Sequence, residues 1–117
     1  MIYDDHTVSG MKRPANVRIL GKRFTVRWIP NSEGIEFEGE ACNGLSDFDG
    51  QEILILEGLP LETEQEKVLH ETLHMIEASM GMENDEEVVD RFTKGLLASL
   101  KDNPSLVRYL ATKKRIA

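Results

Sequence analysis

Cysteine, histidine and aromatic residues are scarce in this chain. Its 117 residues include one cysteine, Cys42, and three histidines, and aromatic residues make up 6%. A single cysteine cannot form an internal disulfide bond, so a metal ion would have to be held by imidazole and carboxylate groups. No histidine lies near Cys42 in the sequence, and we therefore expect this thiol to be a small packing residue rather than a nucleophile.

Long apolar runs and an excess of positive charge are also absent. No stretch approaches the roughly 20 apolar residues that span a membrane, and the N-terminal residues are charged rather than leader-like. The formal net charge of −7 and the pI near 4.9 argue against a nucleic-acid backbone as the main partner. The composition therefore predicts a cytoplasmic protein with neither a nucleic-acid nor a membrane partner.

Alternating apolar and polar residues predict strands in the first half of the chain. The patterns on either side of Gly21-Lys22 indicate a hairpin, and a further strand is predicted around 35–38. The apolar run 51–56 is short enough for a strand that is covered on both faces. Residues 44–50 are expected to form a loop.

Helical periodicity follows in the second half. Residues 61–80 give the strongest signal, and their apolar stripe is expected to face the core: Leu69, Leu73, Ile76 and Met80. A second helix is predicted from about residue 84 to the break at 102–104, and its packed stripe is Val89, Phe92, Leu96 and Leu100. A short third helix is predicted at 105–110.

These patterns together predict an α+β fold. Residues 1–15, which include His6, show no periodicity and are expected to form an irregular arm before a single domain at 16–117. In that domain a small antiparallel or mixed sheet of about three to four strands would pack on helix 61–80 and on the second helix.

The pentapeptide His70-Glu71-Thr72-Leu73-His74 carries the strongest chemical signal. Residues four apart on a helix lie on one face, so both imidazoles can reach a single metal ion, and zinc readily accepts neutral imidazole. Glu71 follows the first histidine and can act as general base toward a water molecule. The alternative to a metal site is that a buried helix carries two histidines with a purely structural role. The scarcity of histidine in the chain makes this alternative less favoured.

Catalytic zinc usually has three protein ligands, and the second helix offers acidic candidates for the third. At 100° per residue Glu86 lies near the packed side of that helix, whereas Glu87 points away. Glu87, the second choice, also has another role as the N3 partner of a cap at Asn84. Asp90 lies one turn beyond Glu86, where it could accept the free N–H of a metal-bound histidine.

A further competitor lies on the first helix. Glu77 follows His74 by three residues, but we expect it to be exposed.

The histidine pentapeptide, with Glu86 on the next helix and Asp90 four residues later, resembles the gluzincin metallopeptidases. The small size resembles minigluzincins. A longer likeness over 16–110, carried by 44–55 and 94–104, resembles small zinc-peptidase-like proteins of bacteriophages and prophages.

This resemblance implies a zincin-like fold with Zn²⁺ as cofactor. The ligands would be His70, His74 and Glu86, and Glu71 would be the catalytic base in peptide-bond hydrolysis. A peptide or protein substrate would lie along the strand 51–56 at the sheet edge, in the host cytoplasm if the protein is phage-encoded. The chain has no downstream histidine and no obvious tyrosine for steadying the oxyanion, a role that larger relatives fill from a second domain. Tyr109 is the one downstream candidate and is expected to be a packing residue.

Two other functions remain open from the sequence. One is a non-catalytic, zinc-stabilised module that regulates or binds a phage or host protein. The other is a zinc-folded structural protein whose fourth metal position is closed. The peptidase hypothesis requires Glu71 to be free to bind water, and this requirement distinguishes it from the two alternatives.

Overall fold

The structure, a computed structural model, describes residues 12–115, so His6 and most of the predicted arm lie outside the described residues. The elements, in chain order, are β1 Asn16–Ile19, β2 Lys22–Ile29, β3 Glu36–Phe37, β4 Glu40–Ala41, β5 Gly44–Asp47, β6 Glu52–Leu56, α1 Leu61–Ser79, α2 Glu86–Asp102 and α3 Pro104–Ala111. They form a mixed four-stranded sheet, a separate two-stranded hairpin and three helices. The predicted α+β class is confirmed.

The order of strands in the main sheet is β1-β2-β6-β5. β2 pairs antiparallel with β1 and parallel with β6, and β6 pairs antiparallel with β5. The prediction that strand 51–56 forms a sheet edge is therefore wrong, because β6 is hydrogen-bonded on both sides. The predicted loop 44–50 is wrong in its first four residues, which form β5, one of the two edge strands of this sheet. This segment has no β-branched residue, so its strand conformation comes from pairing with β6.

The hairpin between β1 and β2 is confirmed, although its turn lies one residue earlier than predicted. Leu20 and Gly21 have φ values of 49° and 86°, so both turn residues occupy the left-handed region. Two consecutive residues with positive φ are typical of a type I′ turn, whose twist matches that of the paired strands.

The core lies between the sheet and helix α1. Phe24, Ile53 and Ile55 are completely buried, and Met75 of α1 packs against them. The apolar stripe of α1 was expected to face this core, and Ile76 does pack against it, but Leu69 and Leu73 are only half-buried and Met80 is 60% exposed. Leu69 lies on the α2 side of the helix, since it lines one cleft together with Leu97 and Leu100.

Helix α2 packs on α1 through a stripe that shares Val89 and Leu100 with the predicted one but not Phe92 and Leu96. Val89 and Thr93 are buried, and Leu97 and Leu100 are half-buried. Phe92 and Leu96, which were expected to pack, are exposed instead. Tyr109 on α3 was also expected to pack, but it is 72% exposed. Within residues 12–115, none of the helices combines the length and the apolar content needed to cross a membrane.

Candidate metal centre

Two helices bring three potential metal ligands together. Both histidines lie on α1 and are buried, and Glu86 is the first residue of α2. The Glu86 carboxylate spans the two imidazoles, with Oε1 2.6 Å from His70 Nε2 and Oε2 3.1 Å from His74 Nε2. One ligand atom from each residue lies within 4.8 Å of the others, so this group could hold a metal ion.

The proton positions at His74 test whether the group fits a cation. His74 Nδ1 lies 2.8 Å from Glu77 Oε1 and can only donate to that carboxylate. In the neutral ring, Nε2 is then a lone-pair acceptor that faces a Glu86 oxygen, itself an acceptor. Two acceptor atoms, His74 Nε2 and Glu86 Oε2, face each other favourably only if a cation or an additional proton lies between them. The donor set therefore fits a metal ion.

Glu77 belongs to the candidate site, and its burial was misjudged from the sequence. It was expected to be exposed, yet it is 9% exposed and uses both carboxylate oxygens. Oε1 meets His74, and Oε2 accepts a hydrogen bond of 3.2 Å from the backbone N–H of Asp85. Glu77 thus links the ligand His74 to the N-terminus of the helix that carries Glu86. The i, i+3 spacing from His74 was the available signal.

The remaining acidic candidates lie outside the ligand group. The Glu87 side chain is 78% exposed and lies 3.9 Å from Arg91. The cap predicted at Asn84 is at Asp85 instead, whose side chain accepts from Val88 N, so Glu87 is not the N3 partner.

Asp90 lies beside the expected ring nitrogen, but at 4.0 Å from His70 Nδ1 it is too far for a hydrogen bond. Its other oxygen accepts from Lys94 at 3.0 Å, and the Lys94 ammonium holds the pKa of Asp90 below its usual range. His70 Nδ1 is buried and has no partner among the described residues. A shift of the Asp90 carboxylate by about 1 Å would satisfy it.

Glu71 lies beside the ligand group on the sheet side of α1. It is 6% exposed, and desolvation by burial raises the pKa of its carboxyl group, partly opposed by His70 and His74. Ser46 on β5 faces the carboxylate and also lowers its pKa. Gly44 leaves the space that this side chain needs, because a Cβ there would lie 3.2 Å from Glu71 Oε2.

A cleft of about 620 Å³ opens over these residues. Its walls are the β3–β4 hairpin, the edge strand β5 and the face of α1 that carries the two histidines. Lys67 is the positively charged residue of α1 that lines the cleft. Cys42 also lines the cleft and is half-buried, and burial raises the pKa of its thiol. His70, Glu71, His74 and Glu86 all face this one space.

Comparisons with known proteins found no similar protein. No family model matches the chain, and neither a curated protein nor a solved structure matches it.

Proposed function

We propose that the chain is a small zincin-like, zinc-dependent peptidase. The observation that carries this proposal is the position of Glu71, a buried carboxylate that faces the same cleft as the His70, His74 and Glu86 group. A carboxylate next to two histidines and a glutamate is the set of groups that metal-assisted hydrolysis requires.

The proposed ion is zinc because the donor set combines two imidazole nitrogens with one carboxylate. Known catalytic zinc sites use this combination and have three protein ligands. Zinc held by these residues would supply Lewis-acid polarisation of the scissile carbonyl and make water nucleophilic near neutral pH. Glu77 keeps the His74 proton on Nδ1, which leaves Nε2 free to bind the ion.

Glu71 performs the proton transfers in this proposal. It accepts a proton from water as the new C–O bond forms on the peptide carbonyl. It then gives that proton to the amide nitrogen as the C–N bond breaks, which leaves a carboxylic acid and an amine. Burial favours the first transfer, because it raises the pKa of the Glu71 carboxyl group above its ordinary value and so makes the carboxylate a stronger base toward water.

The substrate would bind along β5 rather than along 51–56. Leu56 N donates to Asn43 O, and bonding alternates along an antiparallel pair. The register opposes Gly44 to Ile55 and Ser46 to Ile53 as non-bonded pairs, so the backbone groups of Gly44 and Ser46 point away from β6. β5 is the edge strand and lines the cleft, and an extended peptide could add there as a further strand.

The experiment compares wild type with Glu71→Gln, and Glu62→Gln, an exposed glutamate on the same helix, serves as control. Each protein is loaded with zinc, its metal content is measured, and a mixed peptide library is incubated with it. We expect wild type and Glu62→Gln to cleave, and Glu71→Gln to retain zinc and lose at least about 100-fold in activity. Wild-type activity in Glu71→Gln would refute the role of Glu71.

The second candidate is the non-catalytic, zinc-stabilised binding module. It is favoured by the apolar side chains that α2 and α3 expose, since such surfaces often mark protein contacts. Zinc binding by wild type without any cleavage of the library would support this candidate over the peptidase.

A further inference from the structure

Helices α2 and α3 expose a set of large apolar side chains that nothing in the proposed peptidase uses. We call this set the outer apolar surface; its members are Val88, Phe92, Leu96, Leu106, Val107, Tyr109 and Leu110. Each member is between 37% and 72% exposed. Their summed exposed area is on the order of 600 Å², against the roughly 800 Å² that each partner contributes to a standard interface.

Helix α3 contributes four of these side chains and has no buried residue. Eight residues are too few for a helix to be stable in water without tertiary packing. The apolar residues Leu106, Val107 and Leu110 share one arc of the helix, and Arg108 lies opposite. Amphipathicity of this kind indicates that the apolar arc of α3 packs against something other than the described residues 12–115.

Helix α2 carries both a projection and a matching depression on its outer side. Phe92 is 65% exposed, and it borders a shallow groove of about 440 Å³ whose floor contains Gly95 and Ser99. Glycine in a helix interior costs about 1 kcal/mol relative to alanine. A Cβ at Gly95 would meet nothing within 4 Å, so the packing of the described chain does not require this glycine. A second helix that approaches closely would require it.

Opposite charges lie at the two ends of this helical unit. Residues 83–90 contain five acidic and no basic side chains, and residues 103–115 contain four basic and no acidic ones. The 17 residues of α2 separate these ends by about 25 Å, well beyond the Debye length at physiological salt. Antiparallel pairing of two copies places each acidic end beside a basic end, whereas parallel pairing opposes like charges.

We propose that the outer apolar surface binds a second copy of this chain, with the two α2 helices antiparallel. Phe92 of each copy enters the groove over Gly95 of the other, so the surface is complementary to itself, as a twofold interface requires. Helix α3 of one copy then lies beside the start of α2 of the other, where Met82 and Val88 are exposed. The contact uses none of His70, Glu71 and His74, so the proposal does not depend on peptidase activity.

The test measures mass by sedimentation equilibrium over a concentration series for wild type, Phe92→Glu, Gly95→Leu and Ala98→Leu. Ala98 is the matched control because it is exposed on the α1 side of α2, beside Glu62 and Glu66. We expect wild type and Ala98→Leu to reach twice the chain mass of 13.2 kDa. Phe92→Glu and Gly95→Leu should raise the dissociation constant by roughly tenfold or more.

Gly95→Leu separates this proposal from simple unfolding. Leucine favours the helix, so the variant should melt at the same or a higher temperature than wild type at concentrations where both are monomeric. Raising the salt from about 0.05 M to about 0.3 M should weaken the wild-type dimer. A wild-type protein that stays monomeric would overturn the proposal, and the outer apolar surface would then have to bind a different partner. A dimer that Phe92→Glu and Gly95→Leu leave intact would overturn it as well.

Discussion

Soluble proteins usually bury apolar residues and expose polar ones. Helix α1 departs from this pattern by burying polar residues, and the α2–α3 pair departs from it by exposing apolar ones. Of the six residues that α1 buries, five are polar: Glu64, His70, Glu71, His74 and Glu77. The outer apolar surface, by contrast, leaves seven large apolar side chains in water. Burying polar groups is costly unless they are bonded, so each of these five side chains needs a polar partner or a ligand.

Most buried polar groups of α1 have specific partners, although His70 Nδ1 has none among the described residues, whereas the outer apolar surface remains 37% to 72% exposed. Glu64 accepts from Arg13 at 2.9 Å, and Glu77 bonds His74 and the Asp85 backbone. Mutations on the two surfaces should therefore have very different consequences. Substitutions at α1 should break the site or the fold, whereas substitutions at the outer apolar surface should leave the monomer unchanged.

The largest effect is expected from removing a ligand. His74→Ala should lose zinc, because two remaining ligands bind it far more weakly. Since metal binding is coupled to folding, a chelator should lower the melting temperature of wild type but not of the variant. Metal analysis and thermal melting check this. Equal zinc content in the two proteins would remove the basis of the proposed site.

Glu77→Gln tests the link between the two ligand helices. The amide keeps the size of the side chain but weakens the bond to His74 Nδ1, so zinc affinity should fall by roughly 10- to 100-fold. Competition with a coloured zinc chelator measures the change. Glu87→Gln, on the exposed side of α2, should leave the zinc affinity unchanged. An equal loss of zinc affinity in both variants would show that Glu77 does not orient His74.

Arg13→Ala tests a buried carboxylate away from the candidate ligand group. Arg13 bonds Glu64, and its guanidinium lies 4.7 Å from the centre of the Trp28 ring. Its removal leaves Glu64 buried without this donor, so the free energy of unfolding should fall by about 1–3 kcal/mol. Urea titration beside Arg18→Ala, an exposed arginine on β1, measures the difference. A loss no larger than in the control would contradict the expectation.

Gly44→Ala should have a smaller effect, confined to catalysis. The new methyl group would press on Glu71 Oε2 from 3.2 Å and displace the carboxylate by a few tenths of an ångström. We expect kcat/KM to fall by about tenfold or less while zinc content stays the same. Steady-state kinetics on any substrate that wild type cleaves provides the measurement, and unchanged kcat/KM would show that the Glu71 position tolerates the methyl group.

Phe92→Ser should have the smallest effect on the fold. The ring is 65% exposed and makes little contact within its own chain, so the monomer should change in unfolding free energy by no more than about 0.5 kcal/mol. Urea titration at low protein concentration tests this. A loss of about 2 kcal/mol or more would mean that the ring belongs to the monomer core and that the two surfaces do not differ as described.

Much of the candidate site followed from sequence because it depends on one helix. The spacing of His70 and His74 determines their common face, and helical geometry also favoured Glu86 over Glu87. The burial of Glu77 could not be predicted, because it depends on where the N-terminus of α2 meets α1. Asp90 was expected to bond a histidine, and the structure instead places it on Lys94.

The sequence by itself determined features that are set by neighbours along the chain: the histidine pair on one face of a helix, the hairpin after β1, and the break before Pro104. Each depends on backbone geometry within a few residues. Only the tertiary structure decided that β5 rather than β6 is the sheet edge, that Glu77 is buried and that Phe92 is exposed. These outcomes depend on contacts between segments far apart in the chain, and local periodicity shows that a face is apolar but not what covers it.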